Sequence, residues 1–380
     1  MCCLANTFVS ETCKHFENIT DPRINRGRNH LLVEMIFLTL CATLCDANSW
    51  IDVERYGKAK LDWLRKFFPF HEGIASHDTL GRVFSRLDSV EFYAALQSWA
   101  SSIAGSLKNQ TVAVDGKTLR GSFDTASAKS PLHSVTAWVS ALRICLCAVS
   151  VDDKSNEIPA VQQLINQLDL QGAVVTADAM HCQKETVRLI REKEADYLLQ
   201  VKGNQPSLET ALNDAILKAF DEDEKGLRSH RKKEKNRNRT EFRELVVLPC
   251  PKDVPIFQGW KDLRTIGMIY RSRLVDGKLQ EHVSTFITSL PNRVKNIGKR
   301  LREHWGIENS QHYILDVTFT EDSSRIRKGT GPEISSVFRR MALSILQQDT
   351  SIKDTIRGKR KRCGWDNTAI EKVMACFSTN

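Results

Sequence analysis

Three acids in apolar surroundings carry the chemistry this sequence could do. Asp115 follows residues 111–114 (TVAV) and Asp178 follows the run VVTA, so each aspartate stands where a strand-like segment gives way to small or polar residues. Glu308 lies within residues 302–322 (REHWGIENSQHYILDVTFTED). Read as a helix at about 100° per residue, this stretch puts Leu301, Trp305, Glu308, His312 and Leu315 on one stripe. Glu308 then faces a core between Trp305 and His312, and a carboxylate there needs a cation, a proton or a hydrogen-bond donor. A metal ion would meet that need, and so would an Arg or Lys from the core. Acids at the ends of neighbouring strands point into one crevice, and a third from a helix packed on that sheet can join them. Such a cluster repels itself unless Mg2+ enters it. Two such ions ~4 Å apart activate water and stabilise the leaving oxygen in phosphodiester displacement. That is the chemistry of nucleases, polymerases and strand-transfer enzymes.

The third acid is a choice among Glu308, Asp316, Glu321 and Asp322. Asp316 sits at the expected helix end, and Glu321 and Asp322 precede Ser323, Ser324 and Arg325, where a solvated or Arg-paired acid is ordinary. The choice falls on Glu308. Other templates are missing: the sequence has no GxxxxGK[ST], HExxH or GxSxG. His181 and Cys182 follow Asp178 closely, but residues adjacent in a chain rarely share a reacting centre.

The elements that must position these acids read as follows. Residues 1–108 are helical, with helices at 29–45, 50–68, 77–87 and 90–107. The segment 77–87 (HDTLGRVFSRL) sets Leu80, Val83, Phe84 and Leu87 against Arg82 and Arg86, as in a bundle helix or a DNA-reading helix. Strands are expected at 111–114, 134–142, 144–151, 173–176 and 197–201, with helices at 158–168 and 182–195. Lys202-Gly203-Asn204 is a turn, and Pro206 suits the first turn of the next helix. The order gives an α/β layer with a mixed sheet: three antiparallel strands, then crossover units. Residues 220–291 read as a β-rich insertion. It holds a basic loop with Arg228, Arg231, Lys232, Lys233, Lys235, Arg237, Arg239 and Arg243, which either touches phosphates or is simply solvated. Helix returns at 292–314 and 331–348, and residues 357–362 (RGKRKR) form a basic cluster.

The 380 residues suffice for two or three domains, and 27% charged with 41% hydrophobic residues reads as a soluble globular protein. A formal net charge of +9 favours a polyanionic partner, nucleic acid ahead of an anionic membrane. The 11 cysteines form no CxxC, and the pairs Cys41/Cys45 and Cys145/Cys147 lack partners at zinc-site spacing. Free thiols in a reducing compartment are the reading. The most apolar segment, 31–45, is interrupted by Glu34 and falls short of the about 20 residues of a bilayer span. No signal peptide is visible at 1–14. A cytoplasmic protein without a membrane partner is expected.

The motifs together are distinctive. Residues 16–23 (FENITDPR), 114–121 (VDGKTLRG), 176–183 (TADAMHCQ), 197–205 (YLLQVKGNQ) and 302–309 (REHWGIEN), then 315–317 (LDV) and Glu321-Asp322, occur in this order. In them the chain resembles the H-repeat-associated transposases, bacterial insertion-sequence enzymes of the DDE type. The resemblance implies an RNase H-like core in which Asp115, Asp178 and Glu308 are the catalytic acids and the ligands of Mg2+, with Mn2+ as a substitute. It implies DNA cleavage and strand transfer on double-stranded DNA, at element ends and target, by a homodimer in the DNA complex. The helical region 1–108 corresponds to the associated domain, for end recognition or assembly. Residues 109–330 correspond to the catalytic domain with its insertion at 220–291, and 331–380 to a basic helical tail. The residues assigned to DNA are Lys117, Arg120, Lys202, Asn204, Gln205, Arg302, His304, Trp305, Asn309 and His312. There are departures: where the wider class carries Tyr, Arg and Lys around the glutamate, this chain has Leu301, His304 and Leu315, and Tyr313 stands where the group commonly has Trp. These bear on how DNA is gripped near the cut. The alternatives are a catalytically decayed DNA-binding remnant and a general nuclease with the same chemistry.

Overall fold

A computed structural model describes residues 2–24, 28–123, 130–151, 157–236, 239–275 and 278–378. In chain order the first elements are α1 (Cys2–Lys14), α2 (Leu32–Leu44), α3 (Trp50–Leu64), α4 (His77–Phe84), α5 (Ser89–Ala104), β1 (Thr111–Leu119), β2 (Leu132–Val139) and β3 (Ile144–Val151). There follow α6 (Glu157–Gln167), β4 (Val174–Ala177), α7 (Lys184–Glu192), β5 (Asp196–Val201), α8 (Pro206–Asp221), β6 (Arg228–Asn236), β7 (Arg239–Pro249), α9 (Pro255–Gln258), β8 (Thr265–Val275) and β9 (Lys278–Thr288). The chain ends with α10 (Val294–His304), α11 (Tyr313–Val317), α12 (Gly331–Gln348), α13 (Ile356–Trp365) and α14 (Asn367–Ser378). They fall into two units: Met1–Gly105, Gly116–Glu157 and Ile307–Asn380 form unit 1, and Ser106–Asp115 with Ile158–Gly306 form unit 2.

Capping chemistry decides where the helices of unit 1 begin. Ser49 and Asp52 form a reciprocal capping box for α3, Ser76 accepts from the Thr79 amide for α4, and Asp88 accepts from Val90 and Glu91 for α5. The strand order in this unit is β3-β2-β1, the last contributing Gly116–Leu119. Every residue of β2 is buried, which is why its sequence (LHSVTAWV) lacks a polar alternation. Helices α5 and α12 pack against β3. Helix α12 is buried from Gly331 to Leu346.

Helices α12, α13 and α14 pack within unit 1. Helix α14 packs on α1, with Phe377 stacked on Trp99 at 5.4 Å and edge-on to Phe8 at 5.8 Å. Two cations of the RGKRKR cluster are structural. Arg360 is buried, pairs with Asp46 at 2.9 Å and donates to the Thr43 and Thr318 carbonyls, while Lys359 pairs with Asp349 at 2.8 Å.

In unit 2 the order is β1-β4-β5-β9-β8-β7-β6, with β1, β4 and β5 parallel and the rest antiparallel. Helix α10 lies on β4, β6 and β7. Its Ile297 and Leu301 join Val174, Leu198, Leu245 and Phe286 in one apolar cluster. Gly267 in β8 is needed there, because a Cβ would come within 2.2 Å of the Phe286 ring. The architecture is mixed α/β and agrees with the expected RNase H-like core, with β2 and β3 antiparallel and β1, β4 and β5 parallel. The expected basic loop is instead a hairpin, β6 and β7, paired from Arg228↔Val247 to Asn236↔Arg239. Strand β6 ends the sheet order, and lysines and arginines on such a strand block pairing with another chain. Arg237 lies outside the described residues.

Candidate active site and its cationic pocket

The last paired residues of β1 and β4 are Val114 and Ala177. Asp115 and Asp178 come next, both half-buried. Partners in a parallel ladder face the same side, and neighbouring strands lie about 4.8 Å apart. The register therefore puts the two residues at adjoining positions just past the β1–β4 ladder. Strand β1 itself continues to Leu119, so Asp115 marks the end of the pairing with β4, not the end of a strand as the sequence suggested.

Asp178 is held from α10. The Oδ1 atom accepts from His304 Nε2 at 3.2 Å, and His304 Nδ1 meets the Thr176 hydroxyl at 3.0 Å. A carboxylate only accepts, so Nε2 carries the proton, and in the neutral ring Nδ1 accepts from Thr176. The hydrogen bond from His304 holds the Asp178 carboxyl below its ordinary range against the opposing effect of burial, and the charges of Lys202 and His181 add to it. The amide of Asn204 donates to the Ala179 carbonyl at 2.6 Å and that of Gln205 to the Cys182 carbonyl at 3.1 Å. These two side chains fix the turn after Asp178. Lys202 is exposed.

Two residues that sequence reasoning passed over tie α10 to β1: Thr111 donates to Glu303 at 2.5 Å and accepts from Arg300 at 3.0 Å. Their sequence signal was an Arg-Glu pair at i, i+3 spacing. Beside them, still in unit 2, is a pocket of about 240 Å3. Its apolar part includes Leu245 and Trp305, and Arg243, Arg271, Lys295 and Arg302 supply charge. The Arg271 guanidinium lies over the Trp305 ring at 4.7 Å. Two of the residues assigned to DNA, Arg302 and Trp305, thus come together, while His304 is buried beneath Asp178 as a positioning group.

Glu308 opens a π-helical turn, Glu308–His312, in unit 1. It is exposed, which corrects the stripe drawn from the sequence. The buried line runs through Leu301, His304, Ile307, Gln311 and Leu315. The apolar Trp305 had drawn the line one residue off, because His304 with two hydrogen-bond partners takes the buried place. Asn309 is also exposed. His312 is pushed down to about 3 by burial and by the charges of Arg340 and Lys117, so it is neutral near pH 7 and offers no charge to a phosphate.

Lys117 is engaged within unit 1. It is 7% exposed, and its Nζ lies 2.5 Å from Asp316, 2.7 Å from Glu321 and 3.9 Å from Asp322. Glu321 is buried and also meets Arg340 at 3.3 Å; against burial, Arg340 and Lys117 hold it down to about 2. Burial raises Asp316 despite its bond to Lys117. The three acids competing with Glu308 are thus all close to Lys117. Arg120 is different: its side chain is 85% exposed, 3.7 Å from Asp322. The residue after Asp115 is also constrained. A Cβ on Gly116 would lie 2.6 Å from Glu157, which is hydrogen-bonded to His133 at 2.7 Å inside the unit.

Among the described residues, no group of three or more His, Cys, Asp or Glu side chains is placed to hold a metal ion. What unit 2 offers by itself is the pair Asp115 and Asp178, hard oxygen donors of the type Mg2+ takes. No described helix is long and apolar enough to cross a membrane.

Comparison with known families matches residues 106–345 to the transposase DDE domain and residues 13–100 to the DDE_Tnp_1-associated domain. The chain is 36% identical over 365 residues to "Putative transposase YncI" of Escherichia coli O157:H7, covering 95% of this chain and 93% of that protein. It is 32% identical over 373 residues to "H repeat-associated putative transposase YhhI" of Escherichia coli K12, covering 97% and 98%.

Proposed function

The chain belongs to the DDE transposase family, and from that premise we propose that it cuts double-stranded DNA at the ends of an insertion sequence and joins the freed ends to a target, using Asp115, Asp178 and Glu308. The observation that supports this reading is the register Val114↔Ala177, the last pair of the parallel β1–β4 ladder, which Asp115 and Asp178 directly follow. Those carboxylates suit Mg2+, with Mn2+ as a substitute; Glu308 enters the set from the sequence resemblance. When bound, the ion supplies Lewis acidity, making water acidic and neutralising phosphodiester charge.

The chain's own residues have separate tasks in this proposal. His304, fixed by Thr176, keeps Asp178 ionised and aimed. Asn204 and Gln205 keep the following turn in place. Lys202 adds positive charge beside Asp178. Arg302, Arg271 and Lys295 around Trp305 bind phosphate oxygens, a use that guanidinium groups suit. The reaction runs in the cytoplasm, with two copies of the chain in the DNA complex.

The test is to incubate the protein with its flanking genomic DNA and Mg2+ and to map the cuts. Cuts at fixed ends, lost in Asp115→Asn and Asp178→Asn variants that still fold and bind DNA, support the proposal. Cuts without end preference point to a general nuclease. Calorimetry with Mg2+ separates the decayed remnant: DNA binding without ion binding, and without any effect of Asp115→Ala on ion binding, would remove catalysis from the proposal.

A further inference from the structure

Unit 1 contains a cationic concavity of its own. The start of α3 with the two residues before it, α4 as far as Arg82, and the segment 325–328 (RIRK) line a groove of about 840 Å3. Four cations lie in it: Arg82, Arg325, Arg327 and Lys328. Arg327 is anchored, with Nε donating to the Gly121 carbonyl at 3.0 Å and its guanidinium over the Phe123 ring at 4.2 Å. The other three are exposed. Arg82 donates to the Thr79 hydroxyl at 3.3 Å, and none of the three forms an ion pair among the described residues. The acid in the lining, Asp78, is 83% exposed and has the His77 ring 3.5 Å away.

Four of the unit's buried cations, Lys117, Arg340, Lys359 and Arg360, are each matched by a carboxylate. The groove wall is firm. Trp50 stacks on Phe84 at 5.0 Å, and Gly81 leaves room for the indole, since a Cβ would come within 3.3 Å of it. Three unmatched cations presented by two chain segments on a firm wall fit a ligand with repeated negative charge.

We propose that this groove binds the phosphodiester backbone of double-stranded DNA, with Arg82, Arg325 and Lys328 contacting phosphates and Arg327 fixing the segment that carries two of them. The proposal rests on the transposase reading and adds to it a DNA contact far in sequence from the aspartates. An acidic peptide is the other polyanion to consider. Peptide recognition usually takes apolar anchors as well as charge, whereas the groove's large apolar side chains are few and Trp50 is held against Phe84. The net charge of +9 also steers DNA toward the chain.

The experiment uses the full chain and a fluorescein-labelled DNA duplex, without divalent metal, so that only binding is read. Affinity is measured by anisotropy between about 50 and 200 mM salt, where each phosphate contact contributes about 0.9 to the slope of log K against log salt. The triple variant Arg82→Gln, Arg325→Gln, Lys328→Gln should lower that slope by about 2 to 3. A charge-matched control removes three exposed cations elsewhere in unit 1, Arg55→Gln, Lys58→Gln and Lys372→Gln, and should change it by less than about 1. The variant Arg82→Lys with Arg325→Lys should keep the wild-type slope, which excludes misfolding as the cause. Equal losses in the groove variant and the control, or no loss in the groove variant, overturn the proposal. So does a groove variant that binds DNA normally but no longer binds poly-glutamate. If the wild-type chain binds no duplex at all, it is the transposase reading that falls.

Discussion

Lys117→Met is the most informative single change outside the acids, because motif and structure disagree about this residue. The motif VDGKTLRG suggested a phosphate ligand. The structure buries the ammonium between Asp316 and Glu321, with Arg340 on the other side of Glu321. Methionine keeps most of the side chain's length and removes the charge. Breaking a buried ion pair from one side costs about 3–5 kcal/mol, since the remaining charge is left uncompensated. Here Arg340 still faces Glu321, and Asp316 is a third exposed and can rehydrate. The loss should fall at the low end, about 3 kcal/mol. Urea unfolding followed by tryptophan fluorescence reads it as a lower midpoint. In a double-mutant cycle with Asp316→Asn, the pair should cost less than the sum of the single variants by about 1 kcal/mol or more. Should Lys117→Met cost under about 1 kcal/mol, as an exposed pair would, while lowering the salt slope of DNA binding by about 1, the structural role is refuted and the phosphate role restored.

Acid sensitivity should begin with His312. Its folded value of about 3 lies below its ordinary 6.5, so the unfolded chain binds the proton first. Stability is then full above pH 6.5 and falls as pH drops from there toward 3, and His312→Gln should flatten that part of a pH–melting curve. Glu321, held at about 2 against an ordinary 4.5, adds a second loss as pH falls below 4.5, one that Glu321→Gln should remove while lowering stability at pH 7. Glu308→Gln, at an exposed position, should leave the melting temperature unchanged and lower metal-dependent cleavage by orders of magnitude; normal cleavage would move the third acid elsewhere. Gly116→Ala should destabilise unit 1 by about 1–3 kcal/mol in denaturant unfolding, because the new methyl meets the His133–Glu157 pair.

The fold was readable where local rules and burial agree. TVAV, VVTA and YLLQV are short apolar runs too brief for helices, and each became a buried strand. Pro206 at the start of α8 and Ser49, Ser76 and Asp88 before their helices mark starts by chemistry that needs no tertiary contact. The basic hairpin was missed because a run of like charges carries no period-2 apolar signal. Its pairing comes from β8, through the register Arg239↔Val275 to Pro249↔Thr265, which is invisible in the segment itself.

The site was harder to read for a different reason: the residue types that grip DNA are those that hold a scaffold together. Arg and Lys donate to phosphate and to buried carboxylate alike, and Asn and Gln donate to a base edge and to a backbone carbonyl alike. Sequence position near Asp115, Asp178 and Glu308 therefore selects both kinds without separating them. Burial and existing partners separate them. Lys117 faces acids, His304 faces Asp178 and Thr176, and Asn204 and Gln205 face carbonyls. Their loss should show first in stability or in the geometry of Asp178. Arg120, Lys202, Arg302 and Asn309 remain exposed, so their loss should show first in DNA affinity. The same criterion admits Arg82, Arg325 and Lys328, of which only Arg82, on the helix 77–87, had been offered as a DNA contact. An exposed cation that the fold leaves unmatched, in the lining of a groove, is the better guide to where a polyanion sits.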